Sequence, residues 1–489
     1  MKLTRITVIN YKSIEELSID FKKNEGLFGF LGINESGKSN LLKAISIKDN
    51  LKEFTYEKFI NHNHYGEPIE VLYTFDVNWD SETVKELITQ GKDIDIPEEF
   101  LDEIKITNIT VNSVIREGKE PVNELIFKLK NDKIKGWDKH PQNIVIKTLA
   151  KTEDGSKPID IEFDLKEFLQ KQITIESLDE LPKIIFWKSE DKYLMNKKID
   201  LNTFKANPKS TSIPLRNCFM LSGFKEKTIP DKITKVLNDS IELKNMIEVM
   251  DSKVTEFVNN IWKEHNVEVG FTIQGNHLDF TVKDKKGKHQ QVGERSDGFR
   301  QFVSFLLSSS AEVKNGELKN SLLLIDEPET HLHPTAQEYL KDELMRISSK
   351  NIVMFATHSN YLIDKGNFSN YYKVFKNTKL YTEMKQFEDS KTTFSEINYI
   401  VFNIPTTDYH NELYGWCEEN KKSDLNGLPK DKDYIQVKNG SNLPVQIKSL
   451  SEYIRHQIHH PENKENTSFT KKELIKSIEE LRGIRYGSK

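Results

Sequence analysis

The sequence predicts an α/β fold: a mixed sheet with a helical insertion, followed by a small, mainly helical C-terminal module. Three observations carry that prediction. The apolar run Gly26–Leu31 ends in the glycine-bounded turn Gly32–Gly37 and passes into an apolar-faced helix, which is a strand–loop–helix order. Two more apolar strands, Ser321–Ile325 and Ile352–Ala356, flank a helix over Thr335–Ser349. Past residue 390 the pattern turns helical, with breaks at Pro405 and through the polar stretch 421–443.

The elements follow in order. Leu3, Ile6, Val8 and Ile9, then Ile14, Leu17, Ile19 and Phe21, alternate as two strands joined by a turn. Gly26–Leu31 reads as a buried strand and Lys38–Ile47 as a helix with Leu41, Leu42 and Ile45 inward. Residues 68–77 and 105–128 are strand-like, and 80–104 carry a helical pattern. Between 140 and 230 the signal is mixed, with strands near Lys147–Ala150 and Pro182–Lys188 around a helix Lys166–Gln172. Residues 231–264 keep a helical apolar period from Val236 to Ile261 and are expected to form one long helix with an intramolecular packing face. Residues 267–292 alternate as a hairpin around Gly275-Asn276, and a helix is expected over 296–312. Residues 371–386 read as edge strands, 396–420 as two helices, 421–443 as a loop, and 446–460 and 470–482 as helices.

Length and composition bound the function. At roughly 150 residues per domain, the 489 residues give a prior of about three domains. Aromatic residues make up 10% of the chain, a load a disordered chain would not carry. The net charge is −5, with no global basic excess to neutralise a nucleic-acid backbone. The sum hides an asymmetry: residues 421–489 hold 14 Lys and Arg against 9 Asp and Glu, so the remainder is acidic. Nucleic-acid contact is weakened by the total and not excluded. Cys218 and Cys417 are too far apart in sequence for a metal-ligand cluster or a disulfide framework, which suits a reducing compartment. No signal-peptide pattern and no long apolar run is present, so a cytoplasmic chain with no membrane contact is expected.

Gly32-Ile-Asn34-Glu-Ser-Gly37-Lys38-Ser39 fits G-x-x-x-x-G-K-[ST] between a strand and a helix. The glycines let backbone N–H groups close round phosphate oxygens, and the helix N-terminus adds partial positive charge. Lys38 would bridge β- and γ-phosphates, and Ser39 would place its hydroxyl on Mg²⁺. The strand Ser321–Ile325 runs into Asp326 and Glu327, two carboxylates at a buried strand tip. Such a group is costly unless it meets a cation or a donor. Asp326 would hold Mg²⁺ and Glu327 would polarise the attacking water. His358, just past the next strand, would sense the γ-phosphate. The loop before the helix at 296–312 holds Ser296 and Gly298, whose hydroxyl and backbone N–H groups make a second anion site. Two chains docked head to tail would each close the other's nucleotide.

With these motifs in this order the sequence resembles the ABC-type P-loop ATPases of the SMC, OLD-nuclease and DNA-repair branch. Gly32–Asn40 matches the Walker A loop, Ser296–Gln301 a variant signature loop, and Leu322–Glu327 Walker B. Glu329–Pro334 resembles the D-loop region of OLD-like ATPases, His358 the switch histidine, and Asn10-Tyr11-Lys12-Ser13 the first-strand motif. The signature departs from L-S-G-G-Q, and the helix at 231–264 is too short for an SMC arm. The resemblance implies ATP and Mg²⁺ as cofactors. Nucleotide is expected on Gly32, Asn34, Gly37, Lys38, Ser39, Asn40, Ser296 and Gly298, metal on Ser39 and Asp326, and catalysis by Glu327 and His358. It also implies a homodimer or higher oligomer. The implied organisation is an N-terminal lobe over 1–140, an insertion over 141–285, a C-terminal lobe over 286–390 and a HEPN-like helical module over 391–489.

A closer similarity is to ATPase components of bacterial anti-phage systems. Septu and PARIS ATPases work with a separate nuclease, whereas OLD and Gabija types carry a fused Toprim nuclease. Past residue 365 the only D-x-D is Asp431-Lys432-Asp433, in a polar stretch without a preceding apolar strand, so a fused Toprim domain is not expected. Arg455 and His460 resemble the R-x₄₋₆-H motif of HEPN ribonucleases, with His456 in place of the usual Asn. A His to move protons and an Arg to hold phosphorane charge suit metal-independent RNA cleavage. A non-catalytic packing module and a simple helix C-cap fit the same residues. Three readings result: an ATPase sensor or scaffold controlling a partner nuclease, a self-contained RNA-cleaving toxin, and a DNA repair or recombination ATPase.

Overall fold

The computed structural model describes residues 1–22, 26–89, 104–131, 143–148, 159–164, 178, 181–188, 190–195, 198–261, 267–284, 287–292, 297–309, 313–314, 317–318, 320–330, 332–388, 392–438 and 440–487. Two compact units emerge. One comprises Met1–Ile363 with Asn370–Lys385, and the other Asp364–Ser369 with Gln386–Lys489.

The first unit is organised by a six-stranded sheet. Its strand order is Thr382–Gln386, Tyr371–Lys376, Gly26–Leu31, Ile352–Thr357, Ser321–Asp326, Lys183–Lys188. The last five pair in parallel. Parallel strands covered on both faces read as unbroken apolar runs, and Leu322–Ile325 and Ile352–Thr357 are buried at every position. Register matters for the site: Asp326 lies opposite Ala356 and Lys188, and Thr357 opposite Leu31. The carboxyl ends of three neighbouring strands therefore deliver the glycine loop, the two carboxylates and His358 to one edge, where open α/β sheets bind ligands.

A five-stranded antiparallel sheet, ordered Ile14–Asp20, Lys2–Tyr11, Ile69–Trp79, Ile104–Ile115, Val122–Asn131, shares a hydrophobic core with the helix Lys38–Ile45. Leu41, Leu42, Ala44 and Ile45 of that helix are fully buried. The hairpin Val267–Gln274 and His277–Asp284 turns at Gly275, which has φ 59°. The helix expected at Lys166–Gln172 lies outside the described residues.

The expected single helix over 231–264 is two: Ile229–Asn238 and Ser240–Ile261. Asp239 is extended, at φ −138° and ψ 106°. Its carboxylate accepts from the N–H groups of Ile241 and Glu242, at 2.9 and 3.1 Å. An Asp in that position caps a new helix more favourably than it extends an old one. Apolar periodicity runs through the break and conceals it; Ile241, counted in the apolar stripe, is 72% exposed.

In the second unit the helices Phe394–Phe402, Thr407–Asn420, Leu450–His459 and Lys471–Tyr486 start at Thr393, Thr406, Ser449 and Thr470, whose hydroxyls each accept from a first-turn N–H. Tyr409, Leu413, Cys417, Ile454, Ile478 and Leu481 form its core. Two expectations need correction here. The stretch 421–443 is not a plain loop: it holds a helix, Lys422–Asn426, and a strand, Lys430–Tyr434, paired antiparallel with Gln446–Ser449. The helix expected from 446 begins only at Leu450. Buried Tyr434 and the Lys432–Glu473 ion pair at 2.6 Å hold this polar strand, contacts no local pattern encodes. Among the described residues no helix is long and apolar enough to cross a membrane.

Candidate nucleotide-binding and hydrolysis site

The loop Gly32–Gly37 bends through left-handed conformations at Glu35 and Gly37, with φ 63° and 107°. Gly37 caps the helix Lys38–Ile45 without a side-chain bond, so its first N–H groups remain available to an anion. A Cβ at Gly37 would overlap the Thr382 side chain, so this position requires glycine twice over.

Lys38 is 3% exposed. Its ammonium donates to the carbonyls of Gly32 and Ile33, at 2.9 and 3.1 Å, and lies 3.1 Å from His358 Nε2. Burial lowers its pKa to about 8, against the pull of Glu327, Asp326 and Glu329. Ser39 Oγ donates to Asp326 Oδ1 at 2.8 Å. Burial raises the Asp326 pKa, and the Ser39 bond opposes it.

Glu327 sits just past the strand end at φ 51°, a left-handed turn that costs a non-glycine residue. Its N–H donates to Ala356 O, which fixes the turn. Its carboxylate is 3.1 Å from His358 Nε2, and that bond lowers its pKa. Nε2 carries at most one hydrogen, so bonding to Glu327 and accepting from Lys38 are alternatives.

The predicted residues therefore fall into a close set: Lys38, Ser39, Asp326, Glu327 and His358 converge, while Asn34 is exposed in the loop. Asn40 is engaged from below, its Oδ1 accepting from Lys12 Nζ at 3.2 Å. Ser296 lies outside the described residues, and Gly298 is in the helix Asp297–Ser309. Arg455 and His460 do not converge. Arg455 stacks on Tyr414 at 4.6 Å and faces Glu418, whereas His460 follows the helix end and meets Glu462 at 3.2 Å. Five residues on a helix are about 140° apart.

Two groups escaped the sequence reading as site residues. Glu329, buried, accepts from Thr357 Oγ1 at 2.6 Å and from the His358 N–H at 2.8 Å, which positions the histidine backbone. Burial raises its pKa. Thr382 braces the loop from behind: its hydroxyl bonds Ser13 Oγ and Lys376 Nζ, each at 2.8 Å, and Ser36 O at 3.3 Å. An acid two residues past the Asp-Glu pair was a usable signal for Glu329. Nothing local marks Thr382.

The arrangement can cradle a polyphosphate on backbone N–H groups and Lys38. The Ser39 hydroxyl and Asp326 carboxylate form an oxygen-donor pair that fits Mg²⁺, a hard cation. Glu327, held ionised by its histidine bond, suits acceptance of a proton.

Endonuclease GajA of Bacillus cereus (strain VD045) is 23% identical over 376 residues, which is 74% of this chain and 56% of GajA, so the chain spans just over half of that relative. The SMC head domain from Thermotoga maritima aligns over 79% of this chain and all of that one, at 12% identity and a TM-score of 0.35. An SMC head bound to the C-winged helix domain of ScpA aligns over 80% of this chain and 99% of its own, at 11% identity and a TM-score of 0.42. The AAA ATPase domain model matches residues 1–363. The chain belongs to that AAA ATPase domain family.

Proposed function

We propose that the chain binds and hydrolyses Mg-ATP as an oligomeric sensor or scaffold in bacterial anti-phage defence, controlling a partner nuclease in the cytoplasm. The observation that carries the hydrolytic part is the joint geometry of Ser39 with Asp326 and of Glu327 with His358, at 2.8 and 3.1 Å. Arriving phosphates would draw Lys38 away from the loop carbonyls. That exchange frees the single Nε2–H of His358 to pass from Glu327 to the γ-phosphate, which leaves Glu327 to take the proton of the attacking water. Ser39 and Asp326 would hold Mg²⁺, which would neutralise charge on the β- and γ-phosphates. The Ser296 and Gly298 loop of a second chain would close the nucleotide. Similarity to Endonuclease GajA across the ATPase region supports a nuclease context.

The test pairs two assays. Glu327→Gln is expected to bind ATP and lose turnover by about 10²-fold or more. A host carrying the wild-type chain with its flanking genes is expected to resist phage, and the same host with Glu327→Gln is not. Wild-type turnover in Glu327→Gln overturns the hydrolytic role. Resistance that persists without the flanking genes overturns the partner.

A further inference from the structure

A cavity of about 620 Å³ opens in the first unit away from the phosphate loop. None of Gly32–Ser39, Asp326, Glu327 or His358 lines it. Its walls come from the end of the helix Lys38–Ile45 and the segment after it, the strand Lys183–Lys188, and residues 207–217. Six cationic side chains line it against two carboxylates, in a chain whose net charge is −5.

The cations are not all neutralised. Lys48 is bound to Asp49 at 2.6 Å, Lys192 faces Glu53 at 3.7 Å, and Arg216 is forked onto Glu226. Lys43, Lys52 and Lys209 form no ion pair with a described residue. Lys43 instead lies over the Phe54 and Phe59 rings, at 5.5 and 5.8 Å. Burial chiefly lowers its pKa; Lys188 and Lys192 act in the same direction, and Glu53 and Glu190 oppose them. The floor is apolar: Ile184 and the edge-to-face pair Phe186–Tyr193, ring centres 6.5 Å apart.

We propose that this cavity is a second anion site, taking a nucleoside di- or triphosphate with its phosphates on Lys43, Lys52 and Lys209 and its base against Phe186 and Tyr193. The volume falls in the range of about 300–1,000 Å³ for small-ligand sites. Cations that form no ion pair with a described residue, beside an aromatic floor, answer the two halves of such a ligand, charge and ring. The inference does not rest on hydrolysis at the phosphate loop.

Calorimetric titration of the full chain with ADP tests it. Two ADP per chain are expected for the wild type. Lys52→Glu/Lys209→Glu is expected to weaken the second site by about tenfold or more, with the KM for ATP hydrolysis unchanged. Both lysines are exposed, and Lys52→Gln/Lys209→Gln serves if the charge reversal does not fold. Tripolyphosphate should compete for the second site more weakly than ADP. One ADP per chain in the wild type, bound equally well by Lys52→Glu/Lys209→Glu, overturns the proposal. So does a second site indifferent to both variants, or a cavity that takes a single-stranded oligonucleotide and not ADP.

Discussion

Lys38 sits in an environment that opposes its charge. Burial brings its pKa from an ordinary 10.5 to about 8, roughly 3 kcal/mol against the charged form. Between those values the unfolded chain holds a proton that the folded chain has released, so this group makes stability rise with pH from about 8 to 10.5. The nucleotide-free protein with Lys38→Met is expected to be more stable than the wild type at pH 7, by a margin that shrinks towards pH 10. Denaturant melts at the two pH values read it, and a margin that widens with pH would count against the assignment. Arg455 is the opposite case, satisfied where it stands over Tyr414 and beside Glu418. Arg455→Ala is expected to cost about 1 kcal/mol and to leave cellular RNA as intact as the wild type does. RNA degraded by the wild type and spared by Arg455→Ala would support the ribonuclease reading.

Among the elements, the helix Ser240–Ile261 does a job its apolar stripe did not reveal. It covers the free edge of the strand Val267–Gln274 with a polar ladder. Asp251 accepts from the Phe271 N–H at 2.9 Å, and Thr255 accepts from Val269 N and donates to Val269 O, at 2.9 and 3.1 Å. Asn259 bonds both backbone groups of Val267, at 3.0 and 2.9 Å. The spacing is four on the helix and two on the strand, the repeats that keep side chains on one face of each. Thr255→Val keeps the shape and removes two bonds, so a loss of about 1–3 kcal/mol is expected in thermal melts. A change near zero would mean that water substitutes at that edge. This ladder shows why parts of the fold were illegible: the helix and hairpin announce themselves by periodicity, but Asp251, Thr255 and Asn259 look like any solvated face until the strand is beside them. The break at Asp239 was hidden for the converse reason, since the apolar period continues across it.

Across the whole molecule, the candidate site was legible wherever it is carried by contiguous motifs at strand ends. Lys38, Ser39, Asp326, Glu327 and His358 each follow an apolar run, and parallel register alone brings the runs together. Thr382 and Lys376 were not legible, because they reach the loop through the sheet order from a weakly patterned segment. The proposed composite site bears on the same exposed loop. Ile33, Asn34, Glu35 and Ser39 are exposed, Ile33 by 53%, so a single chain leaves an apolar side chain, and would leave phosphates held on this loop, open to water. A second chain presenting Ser296 and Gly298 would cover them and add N–H donors to the γ-phosphate. Association should then depend on intact ATP. Glu327→Gln with ATP is expected to sediment as a dimer or larger species, and to return to the smaller form with ADP or without nucleotide. Lys38→Ala should stay small throughout, since its loop lacks the cation proposed to anchor the phosphates. If Glu327→Gln binds ATP and remains a monomer, hydrolysis does not require a composite site. If association ignores nucleotide altogether, the interface lies elsewhere and ATP is not its switch.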